Sequence, residues 1–456
     1  MKNDANFDDL DQDEEAELRG AGAGADNSSN SFNSCSDVKH TTAQWPDPPA
    51  QEAFYGLAGD IVRVIEPHSE ADPTAILDQT LIGFGNVVGR RPHFRVESDT
   101  HYTNEYTIEV GNTSKGRKGT SWGRARGIFE ADDPDWVRTR IQDGLSSGEG
   151  LISAVRDPTE KQEPIRKRGS GEIEGYQTVI EDQGVSDKRL LVVQTEFAST
   201  LRVLERDGNT LSAVTRQAWD TGNLRTLTKK PMSATDAHIS IIGHISCDEL
   251  RRYLNRTEAG NGFANRFMFH CVRRSKLLPE GGSPSDVDLA PLRCRLQEAI
   301  EFARTVTEMC RDEDTRAIWR EVYQELSQGK PGLLGAITSR AEAHVTRLSC
   351  IYALLDRSAV IRRPHLMAAL ALWEHAEESA RFIFGDALGD PNADAILKAL
   401  RMTAAGLTQT DIMAFFNRNK PANEIQRALE VLIASGLAKS EIEETKGRCA
   451  ERWYAL

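Results

Sequence analysis

The segment Tyr106-Thr-Ile-Glu-Val-Gly-Asn-Thr-Ser-Lys-Gly-Arg-Lys-Gly-Thr-Ser121 constrains the fold more than any other part of this chain. A short β-branched run ends at Gly111. The loop after it carries Gly116 and Gly119, adjacent cations at Arg117 and Lys118, and paired hydroxyls at Thr120 and Ser121. Glycines let a backbone curl until several N–H groups point at one anion, a lysine neutralises terminal phosphates, and a hydroxyl holds magnesium. The pattern predicts a phosphate-binding loop made of Gly111, Asn112, Thr113, Ser114, Lys115, Gly116, Arg117, Lys118, Gly119, Thr120 and Ser121, and hence a nucleoside triphosphate as ligand. Gly111 and Gly116 have the spacing of G-x-x-x-x-G-K-[ST]. Arg117 stands in the lysine place, Lys118 comes one position late, and Gly119 separates it from Thr120. A Gly-rich basic turn on a surface hairpin is the alternative reading of this segment alone.

The flanks supply the strand–loop–helix context that such a loop requires. Tyr106–Val110 reads as a strand, and Trp122, Ala125, Ile128 and Phe129 have helical spacing. Two further apolar runs, Leu190–Val193 and His238–His244, read as strands buried on both faces, with helical segments between Leu201 and Trp219. This alternation predicts an α/β domain with a mainly parallel sheet. Upstream, Ala53–Val64 and the stretch from Asp72-Pro-Thr to Val88 read as helices. Residues 157–189, charged and rich in Gly and Pro around Arg166-Lys-Arg168, read as a long surface loop.

Residues 1–43 hold ten acids against three bases and little apolar surface, and are read as a disordered acidic tail. They account for about half of the net charge of −13. The rest is organised as a helical segment over 44–105, the α/β core over 106–288, an all-α subdomain over 289–390 and a small domain over 391–456. In the last, Ala393–Arg401, Thr408–Asn417 and Pro421–Ser435 read as helices. Two strands then flank a polar turn at Thr445-Lys-Gly-Arg448. Three helices and a hairpin is the pattern of a winged helix-turn-helix. Its third helix would present Lys420, Asn423, Gln426 and Arg427 to DNA, with protein interaction as the alternative role.

Some classes are disfavoured. No apolar run approaches the roughly 20 residues that span a bilayer. The acidic N-terminus resembles neither a secretory signal nor a transit peptide, so the expected address is the cytoplasm. The seven cysteines form no C-x-x-C pair and the ten histidines no H-x-x-x-H, which argues against structural zinc and a disulfide framework.

Triphosphate hydrolysis needs an anion cradle, a metal, a water-orienting base and a charge-stabilising cation. Lys118 and the backbone of 111–119 supply the cradle, and Thr120 (or Ser121) the metal-side hydroxyl. Glu196, just beyond a buried strand, can polarise a water, and His244 at the end of the next can sense the γ-phosphate. Glu196 as a helix cap and His244 as a core histidine are the alternatives. Arg266 could act as a finger reaching a neighbouring subunit's nucleotide, or could pair with Glu258 or Glu249.

Taken together, these motifs resemble the YfjI-like proteins, a bacterial, plasmid and phage family of unknown function often found with primase domains. The resemblance is carried by Gly111–Ser121, Ser147-Gly-Glu-Gly-Leu, Val192-Val-Gln-Thr-Glu-Phe, Ile242-Gly-His-Ile-Ser, Gly262-Phe-Ala-Asn-Arg-Phe with Arg273-Arg-Ser-Lys-Leu-Leu-Pro, and Arg347-Leu-Ser-Cys-Ile-Tyr-Ala-Leu-Leu-Asp, over roughly residues 50–385. It implies a RecA-like P-loop NTPase related to replicative helicases, using ATP and Mg2+. It also implies single-stranded DNA as partner, a homo-oligomer such as a hexameric ring, and a primase or replication-initiation protein nearby. Two departures stand out: the shifted lysine, and Thr195 instead of an Asp before Glu196. Basic segments Arg166-Lys-Arg168 and Lys229-Lys230 could track backbone phosphates, or be solvated loop charges. The rival reading is a non-catalytic winged-helix regulator with a degenerate loop.

Overall fold

Period-two alternation with apolar residues at both phases builds a sheet covered on two sides. In the computed structural model, which describes residues 44–112, 116–168, 171, 173–229, 231–254, 256–330, 332–385, 390–443 and 450–456, five strands form that sheet. They are β3 (Tyr106–Gly111), β4 (Ile141–Gln142), β7 (Arg189–Gln194), β10 (His238–Ser246) and β11 (Phe267–Cys271). Their spatial order is β11-β3-β10-β7-β4, and all neighbours are parallel. Leu191, Val193, Ile242 and Met268 enter one hydrophobic cluster, and Leu190, Val192, Ile241 and Phe269 enter the other.

Each face has its own helices. The first is covered by α1 (Gly56–Ile65), α2 (Pro73–Val87), α3 (Lys118–Phe129) and α4 (Pro134–Thr139). Asp72 caps α2, accepting from the Thr74 N–H, with Pro73 in the first turn as the sequence predicts. The second face is covered by α5 (Gly148–Ser153), α6 (Phe197–Leu204), α7 (Leu211–Asp220) and α8 (Cys247–Tyr253), followed by the short α9 (Arg256–Gly260). The connection leaving β3 therefore runs over one face and that leaving β10 over the other. Such a reversal opens a crevice at the carboxyl ends of the strands.

The segment expected to be an all-α subdomain differs from that reading. It contains α10 (Asp286–Ala303), α11 (Glu313–Leu326), α12 (Gly332–Thr338), α13 (Ala341–Leu355) and α14 (Arg363–Phe384), but also β12 (Glu308–Arg311) and β13 (Val360–Ile361). These join β1 (His93–Val96) and β2 (Asp99–Tyr102) in a four-stranded sheet ordered β13-β12-β1-β2. Elements far apart in sequence complete it, which local periodicity cannot register. Residues from α10, α13 and α14 also share the hydrophobic cluster of α1 and α2.

Residues 157–189 are likewise more ordered than the loop expected there. β5 (Thr159–Arg166) and β6 (Ile173–Asp182) form a two-stranded antiparallel ribbon with mostly exposed side chains. β8 (Leu224–Arg225) pairs with β9 (Ser233–Ala234). The C-terminal segment holds α15 (Pro391–Met402), α16 (Gln409–Phe415) and α17 (Ala422–Ala434) beside an antiparallel sheet of β14 (Leu407–Thr408), β16 (Ala450–Ala455) and β15 (Ala438–Glu443). Ile396, Ile425, Leu429 and Trp453 are among its core residues. The turn expected at 445–448 lies outside the described residues. Among the described residues no helix is long and apolar enough to cross a membrane.

Candidate functional site

The crevice at the carboxyl ends of β3, β10 and β7 is a cavity of about 460 Å³ lined by Arg117, Lys118, Gly119, Thr120, Thr195, Glu196, His244, Ile245, Ser246 and Glu249. The sequence-predicted residues Lys118, Thr120, Glu196 and His244 meet here, although up to 126 positions separate them.

Lys118 is the first residue of α3, and Arg117 precedes it at the N-cap in the left-handed region, with φ 56°. That conformation disfavours a residue with a Cβ. It sends Arg117 to Glu70, with Nε 2.7 Å from the carboxylate, and Arg274 pairs with the same carboxylate. The cation in the expected lysine place is thus held by an acid outside the loop. Burial lowers the Lys118 ammonium below its ordinary range, opposed by Glu109, Glu249 and Glu196. Gly111 and Gly116 approach closely, since a Cβ on Gly116 would lie 3.7 Å from the Gly111 Cα. Asn112 is exposed beside them. Thr113, Ser114 and Lys115 lie outside the described residues.

The two hydroxyls separate. Thr120 is exposed on the cavity wall, whereas Ser121 is buried and donates to the Lys118 carbonyl at 2.6 Å. Magnesium takes oxygen ligands, chiefly phosphate and water in nucleotide sites. The Thr120 hydroxyl and the nearby carboxylates fit that donor set. Among the described residues no three His, Cys, Asp or Glu group to hold a metal ion.

Glu196 follows β7 and occupies the N-cap position of α6, but its side chain makes no capping hydrogen bond. Its exposed carboxylate belongs to the cavity. Glu249, absent from the sequence-predicted set, accepts from Ser246 Oγ at 2.7 Å in a capping box that opens α8. The Ser-x-x-Glu spacing was the available signal.

His244 is both a buried histidine and a cavity residue. It is 3% exposed, and its Nε2 lies 3.1 Å from the amide nitrogen of Gln79 on α2. Burial pushes its pKa down to about 4, with Lys118 adding to the effect. The imidazole is neutral at physiological pH.

Arg266 does not join these residues. It precedes β11, at the opposite end of the sheet, and is 5% exposed. Its Nε and Nη2 lie 3.2 and 2.5 Å from the two carboxylate oxygens of Asp220, and Nη1 donates to the Gly262 carbonyl. The guanidinium is thus buried and held by both Asp220 oxygens within its own chain. Its partner is neither Glu258 nor Glu249.

On α17, Asn423, Gln426 and Arg427 are exposed. Gln426 contacts Glu430 at 3.3 Å, and Lys420, just before the helix, lies 3.7 Å from Glu424. The acids of that face thus engage two of its four candidate DNA-reading side chains. Arg166, Lys167 and Arg168 end the described part of β5 and its turn. The ribbon is anchored where Lys188 binds Asp157, next to the start of β7 and away from the cavity. Lys229 is exposed, and Lys230 lies outside the described residues. No protein-family model matches this chain, and no curated protein matches it at a significant level.

Proposed function

We propose that this chain is a DNA-directed P-loop ATPase of the RecA-like class, a helicase-like motor acting in replication of a mobile element or phage. The observation that carries the reading is the meeting of Lys118, Thr120, Glu196 and His244 in one cavity at the reversal point of a parallel sheet. The loop strand β3 and the acid strand β7 flank β10, which places the three contributors on successive strand ends.

In this reading Lys118 and the loop N–H groups hold the β- and γ-phosphates. Magnesium, with Thr120 as the protein hydroxyl, supplies charge neutralisation when bound. Glu196 orients a water whose oxygen bonds to the γ-phosphorus as the bond to the bridging oxygen breaks, giving ADP and inorganic phosphate, and the water's proton passes to the Glu196 carboxylate. His244 contacts the γ-phosphate as a neutral donor. The C-terminal segment, three helices and a three-stranded sheet, acts as a winged helix with Asn423 and Arg427 toward DNA. A homo-oligomer, such as a ring working with a primase or initiation protein, completes the proposal.

The test is ATP hydrolysis with and without single-stranded DNA, beside Lys118→Ala and Glu196→Gln. DNA-stimulated turnover lost in both variants supports the motor. Absence of turnover from folded protein overturns it in favour of a non-catalytic winged-helix regulator. Turnover indifferent to DNA points to another substrate for the work.

A further inference from the structure

A polar row crosses the sheet just below the cavity. Strand register sets His244 of β10 beside Glu109 of β3, and Glu109 beside His270 of β11. These residues share their phase with Ile242 and Met268, so the row faces α2. From α2, Asp78 Oδ1 comes within 3.7 Å of His270 Nε2, and Gln79 Nε2 within 3.1 Å of His244 Nε2.

Gln79 is fully buried in α2 between Asp78 and Thr80, both also buried, with Leu77, Leu81 and Ile82 close by along the helix. Its side-chain oxygen has no hydrogen-bond partner among the described residues, so the amide's polar contact is the histidine. Burying an amide is costly, and a leucine or methionine would fill the place without that cost. The contact therefore asks for a role. A neutral imidazole has one N–H, and its partner decides which nitrogen carries it. Against an amide N–H, Nε2 accepts and Nδ1 keeps the proton. Against an amide oxygen, Nε2 donates and Nδ1 is a bare lone pair, which an anion repels.

We propose that Gln79 is a positioning residue for His244: its amide donates to Nε2, fixes the Nδ1–H tautomer, and thereby presents an N–H to the terminal phosphate of a bound triphosphate. The proposal rests on the nucleotide reading of the cavity. The groups facing the ring are compatible with it. Burial, and then Lys118, keep the ring neutral. Glu109 retains its proton because burial, and then Asp78, raise its pKa well above the carboxylate range.

The experiment is nitrogen NMR of the full chain labelled with ¹⁵N-histidine, with His244→Gln to identify the signals. It is run for wild type, Gln79→Met and Gln79→Leu (neither has a donor), each checked for folding by its thermal midpoint. Wild type should show a protonated Nδ1 and a bare Nε2. Gln79→Met and Gln79→Leu should each give mixed tautomers. With Mg-ATP, kcat should fall about tenfold or more in each folded variant while KM changes little. An Nε2–H tautomer in wild type, or a pattern unchanged in both variants, overturns the proposal. Failure of wild type to bind Mg-ATP overturns the nucleotide reading and the phosphate-facing role with it. The tautomer pattern, read on the protein alone, still separates that failure from an error about Gln79.

Discussion

The guanidinium carbon of Arg347 lies 3.5 Å from the centre of the Trp219 ring, and both residues are 1% exposed. Arg347 Nη1 donates to the Asn104 carbonyl at 2.6 Å and Nη2 to the Trp219 carbonyl at 2.9 Å, so a single side chain ties α13 to the end of α7 and the start of β3. Removing it takes the guanidinium donor from the buried Asn104 carbonyl and leaves the Trp219 carbonyl only the longer 3.4 Å bond from Asn104 Nδ2. Arg347→Met should destabilise the protein by about 3 kcal/mol or more in urea denaturation. Arg347→Lys should not rescue, because an ammonium lacks the planar fork that spans both carbonyls.

Two glycines in helices should respond to alanine with opposite signs. A Cβ on Gly85 in α2 would stand 2.3 Å from the Thr103 carbonyl oxygen, a backbone atom that cannot yield cheaply, so Gly85→Ala should cost about 1–3 kcal/mol. A Cβ on Gly127 in α3 would meet nothing within 4 Å, so Gly127→Ala should gain up to about 1 kcal/mol. Urea midpoints of the two variants check both directions.

Asp78 makes stability depend on pH. Burial, with Glu105 adding, raises its pKa to about 7 from an ordinary value of 3.8. The folded state binds the proton more tightly than the unfolded chain. Its contribution is therefore full below about pH 4 and is lost as pH rises through about 7. Asp78→Asn abolishes the titration. Relative to wild type, that variant should gain stability between pH 5 and pH 8, on the order of 1 kcal/mol or more, one pKa unit being about 1.4 kcal/mol. The histidines whose pKa burial lowers, His375 to about 4 among them, act with the opposite sign in both proteins, so the difference between the two curves reports Asp78 together with the Glu109 carboxyl beside it. A difference that is flat or falls with pH would contradict the assignment.

The β5–β6 ribbon pairs only with itself in the sheet topology, and Ile165, Ile173, Tyr176 and Ile180 are exposed along it. An isolated two-stranded ribbon adds little to a fold. Replacing residues 160–181 by a short Gly-Ser link should shift the unfolding free energy by no more than about 1 kcal/mol. A larger loss in denaturant titration would show that the ribbon supports the core.

Much of the central sheet was legible because its information is local. The apolar runs at 106–110, 190–193 and 238–244 declare buried strands by their length and β-branching, and Asp72-Pro73 declares the start of α2. The sequence alone also placed Gly111, Lys118, Glu196 and His244 at or just after the ends of three apolar runs. A parallel sheet with helical crossovers brings such positions to one edge for any chain with that alternation.

Tertiary structure decided the rest. Both adjacent cations line the cavity, but that Arg117 is held by Glu70, 47 positions away, while Lys118 opens α3 was decided by the fold. Arg266 pairs with Asp220 rather than with Glu258 or Glu249 because α7 ends beside the start of β11. Gln79 reaches His244 across 165 positions. None of these pairings leaves a periodicity or a spacing in the chain. Each is set by which surfaces pack together, and packing is a property of the folded whole.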